Sequence, residues 1–251
     1  MITLNNVEYS FLISFLAGIS TLLGCFLIFL KKTSNKILIG SLAFASGVMI
    51  TVSLTDLIPS SFELLNKTYF PVFSILLIAT FFTVGIIFSM LVDKYLPEEK
   101  SKNGLYRVGI FSMIAIILHN VPEGIATFMA SSVDRSLGLS LALAISFHNI
   151  PEGISISIPI YYATKSKKKA ITYTLISGLS EPLGAALAYL FLSPFMNDII
   201  MGCLFSIIAG IMMHIAYYEL LPTSFSYKNK KLSILFFLIG ATFMLISHFI
   251  F

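Results

Sequence analysis

HNVPEGIA occupies residues 119–126 and HNIPEGIS residues 148–155, so one ionisable, proline-bearing hexapeptide is written twice, 29 residues apart. Outward from each copy the chain is apolar for the thickness of a bilayer. A ~30 Å hydrocarbon core needs about 20 helical residues at ~1.5 Å rise. The windows around the two copies, 108–130 and 138–162, meet that length. Charged side chains are costly at such depth and mark function by default. The fold and the chemistry are therefore read from the same sixteen residues.

The rest of the chain agrees with this reading. Of 251 residues 57% are hydrophobic and 11% charged, Trp is absent and the mean hydropathy is +0.93, a mix outside the range of soluble domains. Six further apolar windows, near 10–30, 37–58, 70–92, 170–192, 199–221 and 232–251, bring the expected count to eight. The fold class expected is all-α, a polytopic membrane protein folded as a single transmembrane domain over residues 1–251. The connections KKTSNK, PEEKSKNG, SSVDRS, KSKKK and SYKNKK are short and carry turn or charge signals, leaving no room for a soluble domain. MITLNNVEYS has no basic leader, so residues 10–30 are read as a retained helix rather than a signal peptide. Cys25 and Cys203 fall inside spans and read as small packing residues.

Charge placement orients the bundle, because Lys and Arg collect in cytoplasmic loops. Lys31, Lys32 and Lys36 follow helix 1. Lys94, Lys100, Lys102 and Arg107 follow helix 3, Lys165, Lys167, Lys168 and Lys169 follow helix 5, and Lys228, Lys230 and Lys231 follow helix 7. Only Lys67 and Arg135 lie on the other side. The expected location is the plasma (inner) membrane, multi-pass, with N- and C-termini extracytoplasmic. The net charge of +4 is accounted for by topology and calls for membrane lipid but no nucleic acid as partner.

Depth gives the polar residues a common level. His119, His148 and Glu181 lie ten or eleven positions into their windows, about 15 Å at ~1.5 Å per residue, near the bilayer midplane. At ~100° per residue, a Glu at i+4 stands about 40° round from the His, and the Asn at i+1 flanks it, so imidazole, carboxylate and amide share one face. Pro122 and Pro151 each remove an N–H and release the carbonyls of Leu118 and Phe147, and a broken helix is expected there, lining a cavity. Two imidazoles, three carboxylates and two amide oxygens make a mixed N/O set without thiolate. Such a set suits zinc, accepts iron, manganese or cobalt, and is poorly chosen for Cu(I). When the cation leaves, protons are expected to take its place on Glu123, Glu152 or Glu181, making uptake pH-dependent.

The paired HNxPEG motifs, with GLSEPLG at 178–184, resemble the ZIP family of divalent metal transporters, over the whole chain. The resemblance implies uptake of zinc first, also of ferrous iron, and of manganese, cobalt and cadmium, as transported ions and not as cofactors. It implies a binuclear site between helices 4, 5 and 6. One position would take His119, Glu123, His148 and Glu152, and its neighbour Asn120, Glu123, Asn149, Glu152 and Glu181. It also implies alternating access and a homodimer. One departure is that DKYLPEEKSKNGLYR, between helices 3 and 4, has no histidine, whereas many relatives carry a His-rich loop there.

Other polar residues carry two readings each. Met49 is a soft ligand or a packing residue, and Asp56 a cation collector at the entrance or a solvated helix end. His214 and Glu219, five apart, do not share a face, and Glu219 is placed at the cytoplasmic exit. His248 is read as structural. The rival function is an intramembrane zinc-dependent hydrolase, since His and Glu four apart on a helix also occur in zinc enzymes. HExxH is absent and no third His lies at the motif depth, so the expectation is a transporter and not an enzyme.

Overall fold

The computed structural model describes residues 4–30, 34–95, 104–192, 195 and 197–250. Lys31, Lys32, Lys100 and Lys102 lie outside the described residues, as does most of PEEKSKNG. Among the described residues there is no strand, and eight helices are long and apolar enough to cross a membrane. They are α1 (Asn6–Phe29), α2 (Asn35–Asn66), α3 (Pro71–Tyr95), α4 (Leu105–Val133), α5 (Gly138–Thr164), α6 (Lys167–Phe191), α7 (Asp198–Ser226) and α8 (Lys230–Phe249). This is an all-α multi-pass membrane protein. The largest difference from the sequence windows is α2, expected at 37–58 and eight residues longer at its C-terminal end.

Proline explains that difference. Pro59 has no N–H and its ring would meet the carbonyl four residues back. A wider π turn at Ser53–Leu57 comes just before it, and the helix continues to Asn66. Pro222 is handled the same way, behind the π turn Ile215–Leu220 in α7. At Pro182 the helix does interrupt, for Lys167–Gly178 ends and Ser180–Leu187 begins with Leu179 between them.

The expected break inside the repeated motif is corrected. Pro122 and Pro151 both sit within uninterrupted helix. Each removes one hydrogen bond without ending the winding, so the break near the polar cluster belongs to α6.

By packing, the chain falls into two units. One gathers α1, α4, α5 and α6, and the other α2, α3, α7 and nearly all of α8. In the first, α4 lies along α5 and α6, and α1 packs against all three. In the second, α3 lies along α7, which also meets α2. The seven candidate ligands all belong to the first unit.

Candidate metal centre

His119 is the middle residue of the 29-residue α4. His119, Asn120 and Glu123 are buried on one face of that helix, as the i, i+1, i+4 spacing requires. The imidazole Nε2 of His119 stands 4.0 Å from Glu123 Oε2 within the helix. On α5, His148, Asn149 and Glu152 repeat the arrangement and are likewise buried.

The nearest pairs cross between the helices. His119 Nε2 lies 2.9 Å from Glu152 Oε1, close but not aligned as a hydrogen bond. His148 Nε2 is hydrogen-bonded to Glu123 Oε1 at 3.1 Å. Each motif thus offers its His to the Glu of the other. An imidazole with two carboxylates on facing helices is a natural small-cation environment, because neither helix alone satisfies its own charge.

Glu181 completes the group from α6. Asn149 Nδ2 donates to Glu181 Oε2 at 3.0 Å and to the Ala17 carbonyl of α1 at 3.0 Å. Asn120 Nδ2 donates to the Ser177 carbonyl of α6 at 3.4 Å. Both amides spend their nitrogens on backbone or carboxylate. Among the described residues their oxygens, Asn120 Oδ1 and Asn149 Oδ1, have no hydrogen-bonding partner, nor do His119 Nδ1, Glu123 Oε2, both Glu152 oxygens and Glu181 Oε1. Buried donors and acceptors in this state are costly unless something else satisfies them. Every oxygen in the group is of a kind that coordinates divalent cations. Among the described residues no three His, Cys, Asp or Glu side chains stand in a ready coordination cage.

Backbone contact sets the level of Glu181. A Cβ on Gly124 would lie 1.9 Å from the Glu181 carbonyl oxygen, and one on Gly184 would lie 2.0 Å from that of Val121. The motif glycine is therefore the point where α6 touches α4, one residue after Glu123. Gly153 plays the same part on α5, where a Cβ would lie 1.9 Å from the Thr21 carbonyl oxygen of α1. The part of α1 is one that sequence reasoning misses. This helix carries no candidate ligand, yet Ser14 Oγ donates to the Glu181 carbonyl at 3.3 Å and Ala17 receives Asn149. The available signal is a stripe of small residues at helical spacing, Ser10, Ser14, Ala17, Thr21, all buried.

The residues of the second unit form separate contacts. Met49 is fully buried in α2. Asp56 is paired with His248 and accepts from Thr55 Oγ1 at 3.2 Å. His214 Nδ1 is 2.9 Å from Ser89 Oγ, and its ring stacks on Tyr218. Glu219 is half-buried on the π turn of α7. Of the two cysteines, Cys25 in the first unit is buried and Cys203 in the second is half-buried, and both are free thiols.

Eight membrane-length helices among the described residues, with two HNxPEG copies facing each other on α4 and α5 and a Glu-Pro break beside them, define a class. The family model described as ZIP Zinc transporter matches residues 98–248, and the chain belongs to that family. Among individual proteins it is 41% identical to "Zinc transporter ZupT" of Streptococcus mutans, covering 96% of this chain and 97% of that one. It is 40% identical to the protein of the same name from Clostridium perfringens, over 99% and 98%, and 36% identical to that of Campylobacter jejuni, over 98% and 97%.

Proposed function

We propose that this protein carries zinc into the cytoplasm, and with it ferrous iron and, less readily, manganese, cobalt and cadmium. The cation is bound between α4, α5 and α6 by His119, Asn120, Glu123, His148, Asn149, Glu152 and Glu181. The observation that supports this most is the crossed pairing, His119 with Glu152 and His148 with Glu123, buried halfway along two facing helices. Binding replaces the imidazole–carboxylate pairs with metal bonds. The oxygens Glu123 Oε2 and Glu152 Oε2 then bridge to a second, oxygen-rich position completed by Asn120, Asn149 and Glu181, giving a binuclear site. A dication offsets most of the negative charge held there, and when it leaves protons take its place. Zinc affinity should therefore weaken as pH falls from neutral to mildly acid, and equal affinity at both would overturn the exchange.

The protein sits in the plasma (inner) membrane with both termini extracytoplasmic, an orientation supported by the Lys-rich connections, and works as a homodimer. The relatives named as zinc transporters support zinc as the first substrate. Zinc-65 flux into proteoliposomes tests the reading, with Glu123→Ala and Glu152→Ala at matched incorporation. The unsubstituted protein should move zinc and both variants should fall to the level of empty liposomes. Flux retained in both variants would refute the site, and none in any of them would refute the transport. Competition by ferrous iron, manganese, cobalt and cadmium in the same assay ranks the other ions.

A further inference from the structure

Residues 16–24 of α1 read LAGISTLLG, and residues 176–184 of α6 read ISGLSEPLG. Laid one over the other, Gly18 falls on Gly178, Ser20 on Ser180, Leu23 on Leu183 and Gly24 on Gly184. Thr21 then stands where α6 has Glu181. The winding changes at the same place in both helices, for α1 turns from α-helix to a tighter 3-10 turn at Thr21 and α6 interrupts at Leu179. Thr21 and Glu181 are both fully buried.

Contacts around the two stretches come in matched pairs once α4 is exchanged for α5 along with α1 for α6. A Cβ on Gly24 would lie 2.6 Å from the Ile150 carbonyl oxygen, and one on Gly184 would lie 2.0 Å from that of Val121. Both oxygens belong to the residue before a motif proline. Gly153 meets the Thr21 carbonyl as Gly124 meets that of Glu181, each at 1.9 Å. Asn149 donates to the Ala17 carbonyl as Asn120 donates to that of Ser177. The crossed pairs, His119 with Glu152 and His148 with Glu123, obey the same exchange. Gly18 and Gly178 face each other's carbonyl oxygens, at 2.3 and 2.5 Å from the built Cβ, so a local two-fold axis passes between them. Side chains follow the backbone. The Glu181 Cβ lies 3.0 Å from a Cβ built on Gly18, and the Thr21 Cβ 3.4 Å from one built on Gly178.

We propose that Thr21 faces the cation centre from α1 as Glu181 does from α6, a neutral counterpart of that carboxylate. This rests on the transport reading above. Under the two-fold exchange His119 pairs with His148, Asn120 with Asn149 and Glu123 with Glu152, each with its own kind. The one unlike pair is Glu181 with Thr21. Charge count tunes how firmly oxygen ligands hold a dication. Three carboxylates leave two dications short of neutrality, whereas a fourth at position 21 would match them. A carrier must let its cargo go, and an uncharged residue in that place favours release. Thr21 thus sets affinity and turnover from a helix that holds none of the seven candidate ligands.

Exchanging the unlike pair tests the assignment. The zinc Kd of purified full-length protein is read by calorimetry for the unsubstituted chain, for Glu181→Thr and for Thr21→Glu/Glu181→Thr, which moves the carboxylate across the axis and keeps the count at three. Glu181→Thr should weaken zinc binding about 10–100-fold, and the swap should restore the Kd to within about fivefold of the original. Thr21→Asp/Glu181→Thr repeats the swap with a shorter side chain, so that a misfit of one carboxylate is not mistaken for a wrong position. If neither swap restores the Kd, or neither folds, the proposal is overturned while the transport reading stands. Thr21→Glu alone supplies the fourth carboxylate. It should tighten the zinc Kd about tenfold and lower the Vmax of zinc flux. An unchanged Kd in that variant, or its failure to fold with and without zinc, would also overturn the proposal. Full zinc affinity in Glu181→Thr would instead remove Glu181 from the centre, and this inference would fall with that reading.

Discussion

In the unit of α2, α3, α7 and α8, a Cβ on Gly85 would lie 2.1 Å from the Ile207 carbonyl oxygen, and one on Gly210 would lie 2.1 Å from that of Phe82. In the unit of α1, α4, α5 and α6, Gly124 faces the Glu181 carbonyl and Gly184 that of Val121 in the same manner. Each glycine meets the carbonyl three residues before the partner glycine, and Gly47 and Gly240 repeat the register between α2 and α8. Small residues let helix backbones approach in a solvent that offers no hydrophobic drive between them. The crossing is thus a general packing device of the whole chain. What differs is the company it keeps. Beside Gly85 and Gly210 the chain neighbours are apolar, whereas Gly124 follows Glu123 and touches Glu181. One unit uses the crossing to hold helices together, and the other uses it to bring the helices that carry the buried Glu123 and Glu181 into backbone contact.

Alanine at the two crossings separates these roles. Gly124→Ala and Gly85→Ala should each destabilise by about 1–3 kcal/mol, since both force a methyl into a backbone oxygen. Only Gly124→Ala should also weaken zinc binding, by about 10–100-fold, because it moves the support of a ligand. Thermal unfolding beside zinc calorimetry reads both numbers, and equal loss of affinity in the two variants would erase the distinction. A smaller contrast compares two serines. Ser14→Ala removes the 3.3 Å bond to the Glu181 carbonyl, and Ser89→Ala removes the 2.9 Å bond to His214. Each should cost about 1 kcal/mol of stability. Ser14→Ala should raise the KM for zinc flux a few-fold with Vmax kept, and Ser89→Ala should leave KM alone. The smallest effect is expected at the Lys67–Asp198 pair, 3.1 Å apart and largely exposed. Lys67→Ala should shift stability by no more than about 1 kcal/mol and leave flux untouched.

Much of this architecture is legible in the amino-acid order. Eight apolar windows predict eight spans because a bilayer imposes length and apolarity on each helix separately, and both are local properties. The i, i+1, i+4 spacing likewise places His119, Asn120 and Glu123 on one face. The sequence misleads where a residue's meaning depends on a distant partner. Pro122 and Pro151 carry the signal for a helix break and cause none, while the interruption falls at Leu179. Asp56 reads as a solvated end or an entrance, and it is paired with His248 from the far end of the chain.

The amino-acid order by itself determined the solvent, the number of spans, the family and which side chains had to be buried together, since each follows from periodicity or from a motif read within one helix. Tertiary structure alone decided that each imidazole meets the other motif's carboxylate and that Asn149 ties Glu181 to α1. It also made the Ala17 carbonyl an acceptor within reach of more than one donor. Those facts depend on which helix faces which and at what register, and in this chain the register is set by backbone contacts at glycines that no side-chain pattern announces.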